Sequence, residues 1–168
     1  MLHIFDKIMR TGRLTEPVAQ PEKAVAEIGA TFSREIAARF GGSLAIRMVD
    51  AGSCNGCELE MNAANNGFYD IERFGIHFVA SPRHADLLLV TGTVSRHMQA
   101  ALQRTWEATP NPKFVVAMGD CAASGGEFGI SYASCGAVAN VIPVDAVIPG
   151  CPPTPITLLQ GLLELLRR

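Results

Sequence analysis

The chain contains no apolar run approaching the roughly 20 residues that a membrane-spanning helix needs, and its lysines and arginines are not clustered. With 14 Lys and Arg against 16 Asp and Glu, the formal net charge is −2, and the isoelectric point is near 6.1. Lacking a basic patch, the sequence gives no footprint for nucleic acid, and no nucleic-acid partner is expected. A secretory signal is also missing: residues 1–10 carry Asp6 and Lys7 within their apolar residues and offer no small-residue cleavage site. The chain is therefore expected in the cytoplasm, where five cysteines are ligands or catalytic groups rather than a disulfide framework. Charge is sparse, at 18% of residues against 48% apolar, and mean hydropathy is +0.21. That balance implies apolar surface covered by other subunits. A length of 168 residues implies one compact domain.

Residues 1–42 read as an N-terminal helical extension. Leu2, Phe5, Ile8 and Met9 share a helical face, and the stretch from Thr15-Glu16-Pro17 to Pro21 breaks it. Val25, Ile28, Phe32, Ile36 and Phe40 then recur at spacings of three and four until Gly41-Gly42. Two roles remain open for this extension: packing on its own domain, or docking on a partner or membrane surface. From residue 43 to 168 the pattern alternates. Strands are expected over 44–49, 76–80, 86–91, 114–118 and 146–148, with helices over 58–66 and 94–107. A last helix is capped by Thr154, has Pro155 in its first turn, and carries a broad leucine face. Near-continuous apolar strands alternating with helices imply an α/β fold, an open doubly wound parallel sheet with helices on both faces.

Cys54 and Cys57, in Gly-Ser-Cys-Asn-Gly-Cys-Glu, follow the first strand; Cys121 follows the strand ending at Met118, and Cys151 the strand ending at Ile148. Ligands of such sheets bind beyond the carboxyl ends of the strands, so all four thiols are expected on one edge. A thiolate quartet serves tetrahedral zinc or an iron-sulfur cluster. Structural zinc sites favour two close pairs, whereas here only the first pair is close, and Cys151-Pro152 repeats the Cys-Pro ending of bacterial ferredoxin motifs. Cluster ligation fits better. A dithiol oxidoreductase at Cys54-x-x-Cys57 would leave Cys121 and Cys151 unexplained. Cys135, in Ala-Ser-Cys-Gly, is read as a buried apolar thiol, with an alternative ligand as the other reading.

With these cysteines stand Asp70-Ile-Glu-Arg-Phe-Gly-Ile, Ser81-Pro-Arg-His-Ala-Asp-Leu-Leu-Leu-Val-Thr-Gly, Gly119-Asp-Cys-Ala, Pro143-Val-Asp and Pro149-Gly-Cys-Pro-Pro-Thr-Pro. From about residue 48 to 166 the chain resembles the small-subunit family shared by NiFe hydrogenases and respiratory complex I. The resemblance implies a flavodoxin-like fold and one 4Fe-4S cluster on Cys54, Cys57, Cys121 and Cys151, proximal to the active site of a large subunit. The complex I branch typically has two adjacent cysteines, whereas Cys54-Asn-Gly-Cys57 has the hydrogenase spacing. The sequence stops at Arg168 without the cysteine-rich C-terminal region of uptake hydrogenases. It thus looks like the membrane-bound, energy-converting hydrogenases, including that of formate hydrogenlyase.

Three partners follow from the resemblance: a NiFe-hydrogenase-type large subunit, a ferredoxin-like iron-sulfur subunit and a membrane anchor subunit. The expected location is peripheral, on the cytoplasmic face of the cell membrane, and residues 2–9 are a candidate contact with the anchor. The same role in a quinone-type complex and a zinc-stabilised assembly module are the alternatives. Glu58 matches a family glutamate near the large-subunit interface and has two readings, a proton relay or tuning group, and a first-turn acid favoured by the helix N-terminus. Arg83 and His84 match a family loop facing the partner, with turn capping as the other reading for His84. The Thr91-Gly-Thr-Val-Ser run is expected to pack closely beside the cluster.

Overall fold

The computed structural model describes residues 5, 9–11 and 23–167. Five strands, β1 (Leu44–Asp50), β2 (Ile76–Phe78), β3 (Leu87–Thr91), β4 (Phe114–Met118) and β5 (Ala146–Ile148), form one sheet in the order β2-β1-β3-β4-β5. Every neighbouring pair is parallel. The order reverses between β1 and β3, giving the flavodoxin-like winding with its crevice at that switch. The helices are α1 (Lys23–Phe40), α2 (Gly56–Ala64), α3 (Arg96–Ala108), α4 (Asp120–Ser124) and α5 (Pro155–Arg167).

The period of two in the strands explains the layers. In β3, Leu87 and Leu89 face one side, where they meet Phe32 and Ile36 of α1, Met61 of α2 and Leu158, Leu159 and Leu162 of α5. Leu88 and Val90 face the other, against Leu102 of α3 and Ala122 of α4. All five β3 residues are buried, which is why this central strand reads as an unbroken apolar run. Helix α5 begins as expected: Thr154 Oγ1 accepts the Thr157 N–H at 3.2 Å. Helix α3 starts at Arg96, two residues later than expected, because Ser95 is its cap and accepts the Met98 N–H.

Helix α1 packs into the domain. Val25, Phe32 and Ile36 are fully buried, and Gly29 lies so close to Phe74 that a Cβ there would stand 2.2 Å from the ring. Of the two roles left open for the extension, this segment takes packing on its own domain. In the preceding segment Phe5 and Met9 are helical and exposed, while Leu2, Ile8 and the break at 15–21 lie outside the described residues. No helix among the described residues is long and apolar enough to cross a membrane.

Two aspartates tie strands at the amino edge of the sheet. Asp86, just before β3, donates its N–H to Ala45 O at 2.8 Å and accepts the Ala45 N–H on Oδ2 at 2.9 Å. Asp145, just before β5, does the same with Val115, at 2.8 Å and 2.7 Å. In each clasp one aspartate satisfies both backbone groups of a single residue on the neighbouring strand, so an N–H that the ladder does not reach finds an acceptor.

Candidate functional site

The carboxyl edge is built by the loops after β1, β3, β4 and β5. After β1, Asp50 Oδ1 accepts the N–H groups of Gly52 and Ser53, both at 2.8 Å. Asn55, in the left-handed region at φ 71°, caps α2 and accepts the Leu59 N–H. Helix α2 therefore opens at Gly56, two residues earlier than the apolar pattern indicates, and carries Cys57 and Glu58 in its first turn. After β3, Gly92 has φ +73°, and a Cβ there would meet Ser53 N at 2.4 Å. The tight packing of Thr91-Gly-Thr against the cysteine loop requires that glycine.

After β4, Gly119 takes φ 87° and ψ 160°, a conformation essentially confined to glycine. A Cβ at this position would stand 2.8 Å from Cys57 Sγ, so the missing side chain leaves room for the sulfur. The short helix α4 then carries Cys121, and the loop after β5 carries Cys151. Cys54, Cys57, Cys121 and Cys151 line one cavity of about 150 Å³, together with Ser53, Gly56, Gly92, Asp120, Gly150 and Pro152. The four thiols singled out in the sequence thus come together from three loops. A larger cavity of about 280 Å³ opens beside Met48, Met61 and Phe78 but contains no thiol. Of these two cavities, the cysteine-lined one carries the thiols that could hold a metal group.

Electrostatics set the condition for filling it. The Cys57 thiol is pushed up to about 12, first by burial and then by Glu58, Cys54, Cys121 and Cys151. Cys121 is also raised, by burial and then by Cys151, Cys54, Asp120 and Glu127. Cys57 and Cys121 therefore resist ionising unless a cationic group in the cavity neutralises the thiolates. Among the described residues, no three His, Cys, Asp or Glu side chains stand close enough to hold one metal ion. Four thiols match in number the donor set of a 4Fe-4S cluster and of a tetrahedral zinc site.

Glu58 is buried, at 7% exposure. Its Oε2 accepts from Ser53 Oγ at 2.7 Å, and its Oε1 accepts from the Thr91 hydroxyl. It stands in the first turn of α2 and also joins the Cys54 loop to the end of β3. Arg83 and His84 occupy an exposed 3-10 turn before β3, and neither lines the cysteine cavity. Cys135 is buried in the opposite layer, where its Sγ donates to Gln99 Oε1 at 3.4 Å, and it too is absent from the cavity wall. Ser53 and Asp120 stand in the sequence only as neighbours of the cysteines, and Thr91 only as the start of a run that packs beside them; none is given a hydrogen-bonding role there. For Asp120 the signal was its place beside Cys121, whereas the hydroxyl partners of Glu58 come from distant positions and left none.

A family described as "NADH ubiquinone oxidoreductase, 20 Kd subunit" matches residues 54–165, a span that contains all four cysteines of the cavity. The chain belongs to this family. Within the 20 kDa subunit family it is 50% identical to formate hydrogenlyase subunit 7 of Escherichia coli, over 67% of this chain and 44% of that protein. It is 45% identical to the probable membrane-bound hydrogenase subunit mbhJ of Pyrococcus furiosus, over 71% of this chain and 72% of that one. The chain thus spans less than half the length of the E. coli relative. Among solved structures, a chain of the membrane-bound sulfane sulfur reductase, an archaeal respiratory membrane complex, aligns with a TM-score of 0.66 and 34% identity. That alignment covers 84% of this chain and 75% of the other.

Proposed function

We propose that this chain is the electron-transferring small subunit of a membrane-bound, hydrogenase-type complex, holding one 4Fe-4S cluster on Cys54, Cys57, Cys121 and Cys151. The observation that carries the reading is the convergence of these four thiols on one cavity at the carboxyl edge of a 20 kDa subunit fold. Such a cluster, when bound, supplies one-electron transfer. The chain's own residues deliver four thiolates, keep backbone close to them through Gly119 and Gly92, and limit water at Cys57 by burying it partly. Glu58, held by Ser53 and Thr91 directly beyond Cys57, is in this reading the proton-relay or potential-tuning carboxylate.

The partners of this reading are a large subunit carrying the NiFe centre, a ferredoxin-like iron-sulfur subunit and a membrane anchor, with the assembly on the cytoplasmic face. Phe128, Ile130 and Tyr132 are exposed on the segment that follows α4, and Phe128 shares a surface cavity with Gly52 and Ser95 beside the Cys54 loop. This apolar surface next to the thiols suits the large subunit, with the exposed Phe5 and Met9 assigned to the anchor. Removing residues 1–10 should release the complex from membranes; full retention would refute that contact.

Metal analysis of the purified complex tests the core of the proposal. About four iron with acid-labile sulfide for this chain is the expected result, and one zinc would replace the reading with a structural assembly module. A second reading, the same electron-transfer role with a quinone or another acceptor, is favoured by the family's own description. Nickel in the large subunit decides between the two.

A further inference from the structure

Cys121 and Cys151 arrive singly, each from its own loop, with no Cys-x-x-Cys turn to set their separation. The ladder between β4 and β5 ends at Met118 and Ile148. It is prolonged by the Gly119 N–H donating to Ile148 O at 2.8 Å and the Asp120 N–H donating to Gly150 O at 2.9 Å. Beyond this point β4 has turned into α4, so its backbone offers no acceptor for the Gly150 N–H. Asp120 Oδ1 accepts that N–H instead, at 2.8 Å. This is the clasp of Asp86 on Ala45 and of Asp145 on Val115, placed at the opposite edge of the sheet. Here the two clasped residues, Asp120 and Gly150, each directly precede a cysteine of the cavity, and Asp120 itself lines it.

We propose that Asp120 is a positioning residue for the cluster: its reciprocal bonds to Gly150 hold the Cys121 and Cys151 loops at the separation the cluster needs, and its carboxylate adds a negative charge at the cavity wall. The inference rests on the cluster reading above. A carboxylate accepting a backbone N–H forms the stronger, charge-assisted kind of bond. Its loss leaves Gly150 N–H without that acceptor and the loop after β5 free to drift.

The test compares purified complex carrying wild-type chain, Asp120→Ala and Asp120→Asn. Three readouts are iron release to a chelator, hydrogen exchange over residues 149–151, and the redox-titrated electron paramagnetic resonance signal. Asp120→Ala should release iron roughly tenfold faster and exchange faster at Gly150. Asp120→Asn keeps a side-chain oxygen for the Gly150 N–H in a weaker, uncharged bond, so it should retain more iron and more exchange protection than Asp120→Ala. Having lost one negative charge, it should titrate at a more positive potential. Wild-type iron release in Asp120→Ala, or an unshifted potential in Asp120→Asn, would overturn the proposal. A wild-type complex without iron and sulfide would overturn the cluster reading and this inference together.

Discussion

The two edges of the sheet use one device for different ends. At the amino edge, Asp86 and Asp145 clasp Ala45 and Val115 on neighbouring strands; at the carboxyl edge, Asp120 clasps Gly150 with the same pair of bonds. The β4–β5 pair is therefore tied at both ends. What differs is the company. Each amino-edge aspartate directly precedes a strand, whereas the carboxyl-edge clasp sits among left-handed glycines, the first turns of helices and four thiols. Stability and chemistry thus share a hydrogen-bonding pattern, and the direction of the strands decides which of the two it serves, because all the strands of a parallel sheet point their carboxyl ends to one side.

The largest expected effect that sharpens this contrast is at the thiols. Cys151→Ser should abolish or convert the cluster's paramagnetic signal, while Cys135→Ser, outside the cavity, should leave it intact; an unchanged signal in the first would refute the ligand assignment. Next comes Gly119→Ala, which places a Cβ 2.8 Å from Cys57 Sγ and imposes a backbone cost of order 1–3 kcal/mol. Reduced iron content should accompany the lower stability, measured by metal analysis and denaturant unfolding.

At the other edge, Asp86→Ala and Asp145→Ala should each cost roughly 1–3 kcal/mol in denaturant unfolding, as a backbone N–H loses its acceptor. The redox signal should not move; a shift there would break the division of labour between the edges. The last comparison concerns pH. Because Cys57 in the folded chain is raised from 9.0 to about 12, its contribution to stability is present below pH 9 and is lost as pH rises through about 12. The metal-free chain should therefore lose stability between about pH 9 and 12, and Cys57→Ser should flatten that slope. An identical slope in both proteins would show that the burial of Cys57 does not set it.

Much of this was legible in the residues. β4 and β5 begin and end where their apolar runs do, at Phe114–Met118 and Ala146–Ile148; for β4 the reason is that a strand buried on both faces must be apolar throughout, whereas β5 is an edge strand with Val147 exposed. Helix α4 was not anticipated, because five residues are too few to show a helical period. The early start of α2 was missed for a related reason: Asn55 and Gly56 carry no apolar signal, and a left-handed cap opens the helix there.

At the site, the four cysteines announced themselves by residue type and by their places after strands. The hydroxyls that hold Glu58 did not. Ser53 and Thr91 lie 5 and 33 residues from it in the chain, and nothing in the composition of either segment marks the pairing.

From the sequence alone came the α/β class, the quartet of thiols and the family, since strand burial, thiol chemistry and local motifs are each written in neighbouring residues. Only the tertiary structure decided that α1 packs into the core, that Cys135 stands apart from the other four cysteines, and that Asp120 joins the loops bearing Cys121 and Cys151. These outcomes depend on which distant backbone groups come within hydrogen-bonding or packing distance once the sheet has closed its ladder, and no local pattern encodes that distance.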